Sequence, residues 1–260
     1  MTDEVLVSRS DRRVSESKRP RSKKAPSKKR SVLLFIRDLL IIFVVALLIS
    51  FLIKSFLIRS FYIPSGSMMN TLQVDDRIIV NQLEPDLIPI ARGDVLVFKD
   101  PGGWLLPQPD VVQNPIVAGI DWFFSVVGLS APDSNDHLIK RVIGLPGDHV
   151  VCCNALGQMS VNDIALDESD YVLLPAGESK VSAIDFDVTI PADSLWMMGD
   201  NRYNSKDSRF NGETVGKGFV PVEDVVGRAL VVSWPLARWA WLDDYPDVFR
   251  EVEQADLSAQ

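Results

Sequence analysis

Two serines flank a glycine, Ser65-Gly66-Ser67, within the stretch Tyr62-Ile-Pro-Ser-Gly-Ser-Met-Met-Asn-Thr-Leu72. Glycine tolerates backbone angles and close approaches that other residues avoid, so a hydroxyl beside it can be presented to a second molecule rather than packed away. A plain strand-to-turn junction has the same composition. A second stretch, His137-Leu-Ile-Lys-Arg-Val-Ile-Gly-Leu-Pro-Gly-Asp148, sets Lys140 in an apolar alternating run, where a cation is costly unless paired or neutral. An ordinary lysine, with a pKa near ~10.4, keeps its proton at neutral pH, but apolar surroundings can lower that value by up to about 3–5 units. Leu138, Ile139, Val142 and Ile143 are suitable neighbours in sequence. Breaking an amide needs a nucleophile, a group that takes its proton and donors for the developing oxyanion, and a serine with a neutral lysine supplies the first two. A third stretch, Met198-Gly-Asp-Asn-Arg-Tyr-Asn-Ser-Lys-Asp-Ser-Arg209, is dense enough in polar groups to form a hydrogen-bonded loop.

Histidine is the other available base. His137 and His149 flank the Lys140 segment and Asp148 precedes the second, so a Ser/His/Asp triad is formally possible. Adjacent residues on a strand diverge, however, and His149 follows a Pro-Gly-Asp turn, so a surface or structural role is expected of both histidines. Cys152 and Cys153 are adjacent in an apparent strand and poorly placed to bond each other, which favours two free thiols over a strained vicinal disulfide. With two cysteines and two histidines, a zinc site has too few ligands, and no metal is expected.

These residues need a scaffold. Short β-rich runs recur between Gly, Pro, Asp and Asn: residues 77–80, 94–98, 138–143, 149–152, 171–174, 195–198 and 229–234. Such spacing predicts an all-β sheet or barrel-like domain, and no long amphipathic helix competes after residue 60. Ahead of it, residues 39–58 give about 20 positions with one charge, the length that roughly 30 Å of hydrocarbon demands, and predict a single transmembrane helix within residues 31–58. Residues 1–30 hold 11 Lys or Arg against 4 Asp or Glu, a balance of +7, while the whole chain carries −8, leaving −15 on residues 31–260. The basic segment has little to bury and reads as disordered. Retention of Lys and Arg on the cytoplasmic side predicts that it stays inside and that residues 59–260 lie outside. Such a run could bind nucleic acid, but beside a membrane span it suits topology and anionic lipid better, and no nucleic-acid partner is expected. Residues 101–136 break the strand rhythm; this insertion either faces the membrane with Trp122, Phe123 and Phe124 or packs on the sheet, and the Trp-rich stretch 233–241 invites the same two readings.

The Ser65-Gly-Ser-Met68, His137–Asp148 and Met198–Arg209 blocks, with Arg92-Gly-Asp-Val-Leu-Val-Phe98 as a fourth and a membrane span ahead of them, resemble the type I signal peptidases, membrane-bound serine proteases with a Ser/Lys dyad. The resemblance covers most of residues 59–235 and implies an all-β extracytoplasmic catalytic domain, of a fold shared with self-cleaving repressors, behind a single N-terminal transmembrane helix in the cell membrane. It implies Ser67 as nucleophile and Lys140 as general base. Ser65 and the Ser67 N–H would form the oxyanion hole, and Ser205 would hold the Lys140 amine. Asp207 and Arg209 would pair to fix their loop, with Asp200, Asn201 and Arg202 completing the network. Phe61, Ile63, Met68, Leu72 and Ile139 match positions lining shallow apolar pockets that suit alanine at the first and third residues before the cut, although Leu72 and Ile139 also read as core. The implied partners are exported preproteins and the lipid bilayer, near the export channel, and no cofactor is implied. Asn70 replaces the usual proline of Ser-Met-x-Pro-Thr-Leu, which suggests a looser backbone, and Tyr203 replaces a common aspartate, which suggests altered Arg202 pairing. Arg141, pointing opposite to Lys140, reads as outward-facing. A related Ser/Lys maturation peptidase with a narrower client and a non-enzymatic anchored domain that binds exported chains are the alternatives.

Overall fold

The computed structural model describes residues 28–105 and 136–258. Expectations for residues 1–27, and for Trp122, Phe123 and Phe124, therefore lie outside the described residues. Helix α1 spans Lys28–Phe56, and its stretch Val32–Phe51, with a mean hydropathy of 2.9, is long and apolar enough to cross a membrane. This stretch begins at Val32 rather than Leu39 and takes in the Arg37-Asp38 step, an ion pair of 2.8 Å. The helix also stops short of Ile58, which opens the first strand.

Beyond it lies an all-β domain. Strands β1 (Ile58–Tyr62), β2 (Arg77–Asn81), β3 (Val95–Lys99), β4 (His137–Gly144), β9 (Ser194–Met198), β10 (Val220–Pro221), β11 (Val225–Trp234) and β12 (Ala240–Trp241) make one antiparallel sheet. Its order is β1-β2-β11-β3-β4-β9-β10, with β12 on β11. Strands β5 (His149–Cys152), β6 (Met159–Val161), β7 (Ile164–Ala165) and β8 (Phe186–Thr189) form a smaller one in the order β7-β6-β5-β8. Strand β4 is flanked by β3 and β9, with Lys140 opposite Leu96, and Arg141 opposite Val95 and Met198. Alternation sends Leu138, Lys140 and Val142 to one face and Ile139, Arg141 and Ile143 to the other. On the lysine face, Leu96, Phe98, Trp104, Val142, Leu195 and Met197 form a buried cluster that Leu138 packs against.

Three expectations change here. Residues 171–174 are not a strand: Leu173 makes a single parallel bridge to Asn201, because its N–H donates to the Asp200 carbonyl and its own carbonyl accepts from Arg202 N. A helix, α2 (Pro246–Ser258), adds to the expected elements. It buries only Phe249 and Val252, too narrow a stripe to show in an acidic sequence, and it starts at a proline, a residue suited to a first helical turn. Finally, Cys152 and Cys153 are joined as a vicinal disulfide rather than left as free thiols. The peptide between them is cis.

Candidate active site

Ser67 sits in a 3-10 turn, Gly66–Met68, that follows β1 and is anchored by the fully buried Met68. Lys140, 3% exposed, reaches it across the fold: Nζ lies 2.8 Å from Ser67 Oγ and donates to the Ile139 carbonyl at 2.9 Å. Burial pushes the Lys140 pKa down to about 8, with Asp207 and Asp200 pulling it up and Arg209 lowering it further. Ser65 Oγ is 3.4 Å from Ser67 Oγ. Because Ser67 lies in the first turn, directly after Gly66, its N–H belongs to the group that lacks partners within that turn.

The turn is held by the 199–211 loop. Asn201 donates its backbone N–H to the Ser67 carbonyl at 3.1 Å and its side-chain amide to the Gly66 carbonyl at 3.0 Å. Thr71, one turn further on, donates its hydroxyl to Asp200. Asp207 accepts from Gly199 N at 3.0 Å and pairs with Arg209 at 2.7 and 2.8 Å. Arg202 makes a two-pronged pair with Glu168 at 2.7 and 2.9 Å and donates to the Gly199 carbonyl at 3.1 Å, so the tyrosine at 203 does not govern its pairing. Tyr203 instead donates to Glu178 and the Lys180 carbonyl. Asn70, with φ 94°, is not loose either, since its amide donates to the Tyr171 carbonyl at 3.1 Å.

Two residues bear on the site in ways the sequence does not show. Arg141 does point away from Lys140, yet it is fully buried, paired with Asp200 at 2.8 and 2.9 Å and set 4.4 Å from the Tyr171 ring centre. The face expected to meet solvent is covered by Tyr171 and Tyr245, brought from distant sequence. Gly199 is the second. A Cβ there would lie 2.5 Å from the Ser67 carbonyl oxygen and 2.6 Å from Ser205 Cβ, whereas one on Gly66, which does not have a positive φ, would chiefly meet the flexible end of Met69. Gly199→Ala is therefore expected to cost about 1–3 kcal/mol through overpacking and to lower turnover by displacing Ser67. Gly66→Ala should melt close to the wild type. Thermal melts and peptide turnover on both variants check the contrast.

An open cleft of about 650 Å³ reaches Ser67 and Lys140 and is lined by Ser65 and Ser205 as well, together with Trp104, Leu138 and Tyr203. The structure thus brings together Ser65, Ser67, Lys140 and Ser205, but Ser205 Oγ is buried without a hydrogen-bond partner and does not hold the Lys140 amine as expected. Phe61, Ile63, Met68, Leu72 and Ile139 converge too, in one buried core cluster rather than along this cleft. For Ile139 the reason is alternation, which turns it away from Lys140. The histidine triad does not assemble: Asp148 is paired with Arg92 at 2.6 and 2.8 Å, and His149 contacts Asp187 at 2.7 Å. Among the described residues no group of three or more His, Cys, Asp or Glu is placed to hold a metal.

A hydroxyl within hydrogen-bond distance of a buried amine of lowered pKa, in an open cleft of a β domain, is a geometry in which the amine can take the hydroxyl proton. Residues 36–234 match the family described as Signal peptidase, peptidase S26, and the chain belongs to that family of peptidases. It is 36% identical over 204 residues to a probable signal peptidase I of Mycobacterium leprae, covering 68% of each chain. It is 32% identical over 240 residues to signal peptidase I of Mycobacterium tuberculosis, covering 86% of this chain and 80% of that one. A signal peptidase I of Leptolyngbya laminosa is 35% identical over 188 residues, covering 71% of this chain and 72% of the relative.

Proposed function

We propose that this chain is a membrane-anchored signal peptidase I that cuts exported preproteins after Ala-x-Ala, with Ser67 as nucleophile and Lys140 as the neutral base. The observation that carries the reading is the 2.8 Å approach of Nζ to Oγ inside a buried environment. Deprotonated, the amine accepts the hydroxyl proton as Ser67 attacks the scissile carbonyl, then returns it to the leaving amine. The Ser67 N–H and the Ser65 hydroxyl stabilise the oxyanion. Asp207, Arg209, Asp200, Asn201 and Arg202 are positioning residues that hold the turn. Helix α1 crosses the cell membrane with the basic segment inside, so the domain faces the exterior, beside the bilayer and close to the export channel, where emerging signal peptides are concentrated.

Incubation with a preprotein bearing Ala-x-Ala, with the cut mapped by mass spectrometry, tests the assignment; a folded protein that leaves it intact refutes it. The acid limb of kcat/KM should rise through about pH 8, because the amine of Lys140 must lose its proton to act as base. A limb centred near 6.5, the ordinary range of histidine, would point to a different base.

A further inference from the structure

We infer that Lys206 selects substrates carrying an acidic side chain close to the scissile bond. The inference rests on the peptidase reading above and sharpens it. Among the described residues, the lining of the cleft contains two lysines, Lys140 and Lys206, and neither aspartate nor glutamate. Residues 31–260 as a whole carry −15, so the wall of the cleft is opposite in sign to the domain around it. Lys140 is occupied with Ser67 and the Ile139 carbonyl and is neutral when it works. Lys206 is exposed, and its ammonium donates to the Trp104 carbonyl at 3.2 Å. That contact fixes the ammonium without neutralising it and leaves two N–H donors available.

The adjacent carboxylate does not compensate it, because Asp207 is fully buried and committed to Arg209 and Gly199 N. Among the described residues no carboxylate pairs with Lys206, and the cleft is where the polypeptide lies. Lys206 directly follows Ser205, which shares the wall with Ser67. Its four-carbon stem covers about two residues of an extended substrate at ~3.3–3.6 Å each, so the acidic side chain belongs within a few residues of the cut.

The test uses matched Ala-x-Ala peptides with Glu or Gln at each of several positions on either side of the cut. Wild type should favour Glu over Gln in kcat/KM by about threefold or more at one position at low salt, with the preference shrinking at high salt. The ratio should fall to about one in Lys206→Gln, persist in Lys206→Arg and invert in Lys206→Glu. A wild-type ratio near one at every position, or a ratio that survives in Lys206→Gln, overturns the inference. So does an equal loss on Glu and Gln peptides in Lys206→Gln, which would make the residue only a brace for Trp104. Cleavage of both peptides without preference sinks this inference alone, whereas no cleavage of either by wild type sinks the peptidase reading with it.

Discussion

Lys140→Met is expected to lose about 10³-fold or more in kcat while making the domain more stable. The first part follows from removing the proton acceptor of a dyad that acts as a unit, since a general base contributes about 10²–10⁴-fold and its loss disables the nucleophile as well. Ser67→Ala should show a comparable loss, and the double variant should be little worse than either. The second part comes from the pKa. In the folded domain it is lowered from 10.5 to about 8, so the native state resists the proton that the unfolded chain accepts. Below about pH 8 both states are protonated, and the folded one bears the full cost of a buried ammonium; stability then rises as pH increases from about 8 to 10.5, where the unfolded state binds more protons. A difference of this size corresponds to about 3 kcal/mol at neutral pH, an upper figure for what Met can recover, reduced by the lost bond to the Ile139 carbonyl. Urea unfolding at pH 7 beside turnover separates the two effects. An inactive variant less stable than wild type would show that the lysine supports the fold rather than burdening it.

Arg141→Met should have the largest effect on stability, about 3–5 kcal/mol, because it strands the Asp200 carboxylate as a buried charge without its partner. Arg141 also donates to the Gly93 and Asp243 carbonyls at 2.6 and 3.0 Å, so its removal leaves backbone acceptors unpaired as well. Asp200 takes the Thr71 hydroxyl, and its neighbour Asn201 holds the Ser67 carbonyl, so turnover should drop even at temperatures where the variant is folded. Adding Asp200→Asn to Arg141→Met should recover part of the stability, since it removes the unpaired charge. Loss of less than 1 kcal/mol in the single variant, measured by denaturant unfolding, would place solvent at this pair and contradict its burial.

Of the Ser67–Lys140 approach, the sequence marks the lysine, a cation in an apolar strand, whereas Ser65-Gly-Ser67 alone reads equally well as a turn. Strand β4 is plain from its alternation. What the sequence hides is set by distant residues. Arg141 reads as solvent-facing because nothing near it in sequence announces that Tyr171 and Tyr245 cover its face. Glu168 carries no mark of pairing with Arg202, which lies 34 residues away. Gly199 reads as one member of a polar loop, whereas its role depends on how closely Ser67 and Ser205 approach it. Helix α2 is hidden by its composition, since two buried side chains and one ion pair, Asp256 with Arg92 at 2.7 Å, attach it to the sheets.

The arginine–carboxylate pairs have a consequence for the conditions in which the domain can work. Arg92–Asp148, Arg141–Asp200, Arg202–Glu168 and Arg209–Asp207 are shielded from water on both partners. Dissolved ions screen such contacts far less than they screen exposed pairs such as Arg250–Asp247. Desolvating the charges also becomes less costly as temperature rises. The loop that holds Ser67 should therefore keep its geometry in brine and in warmth.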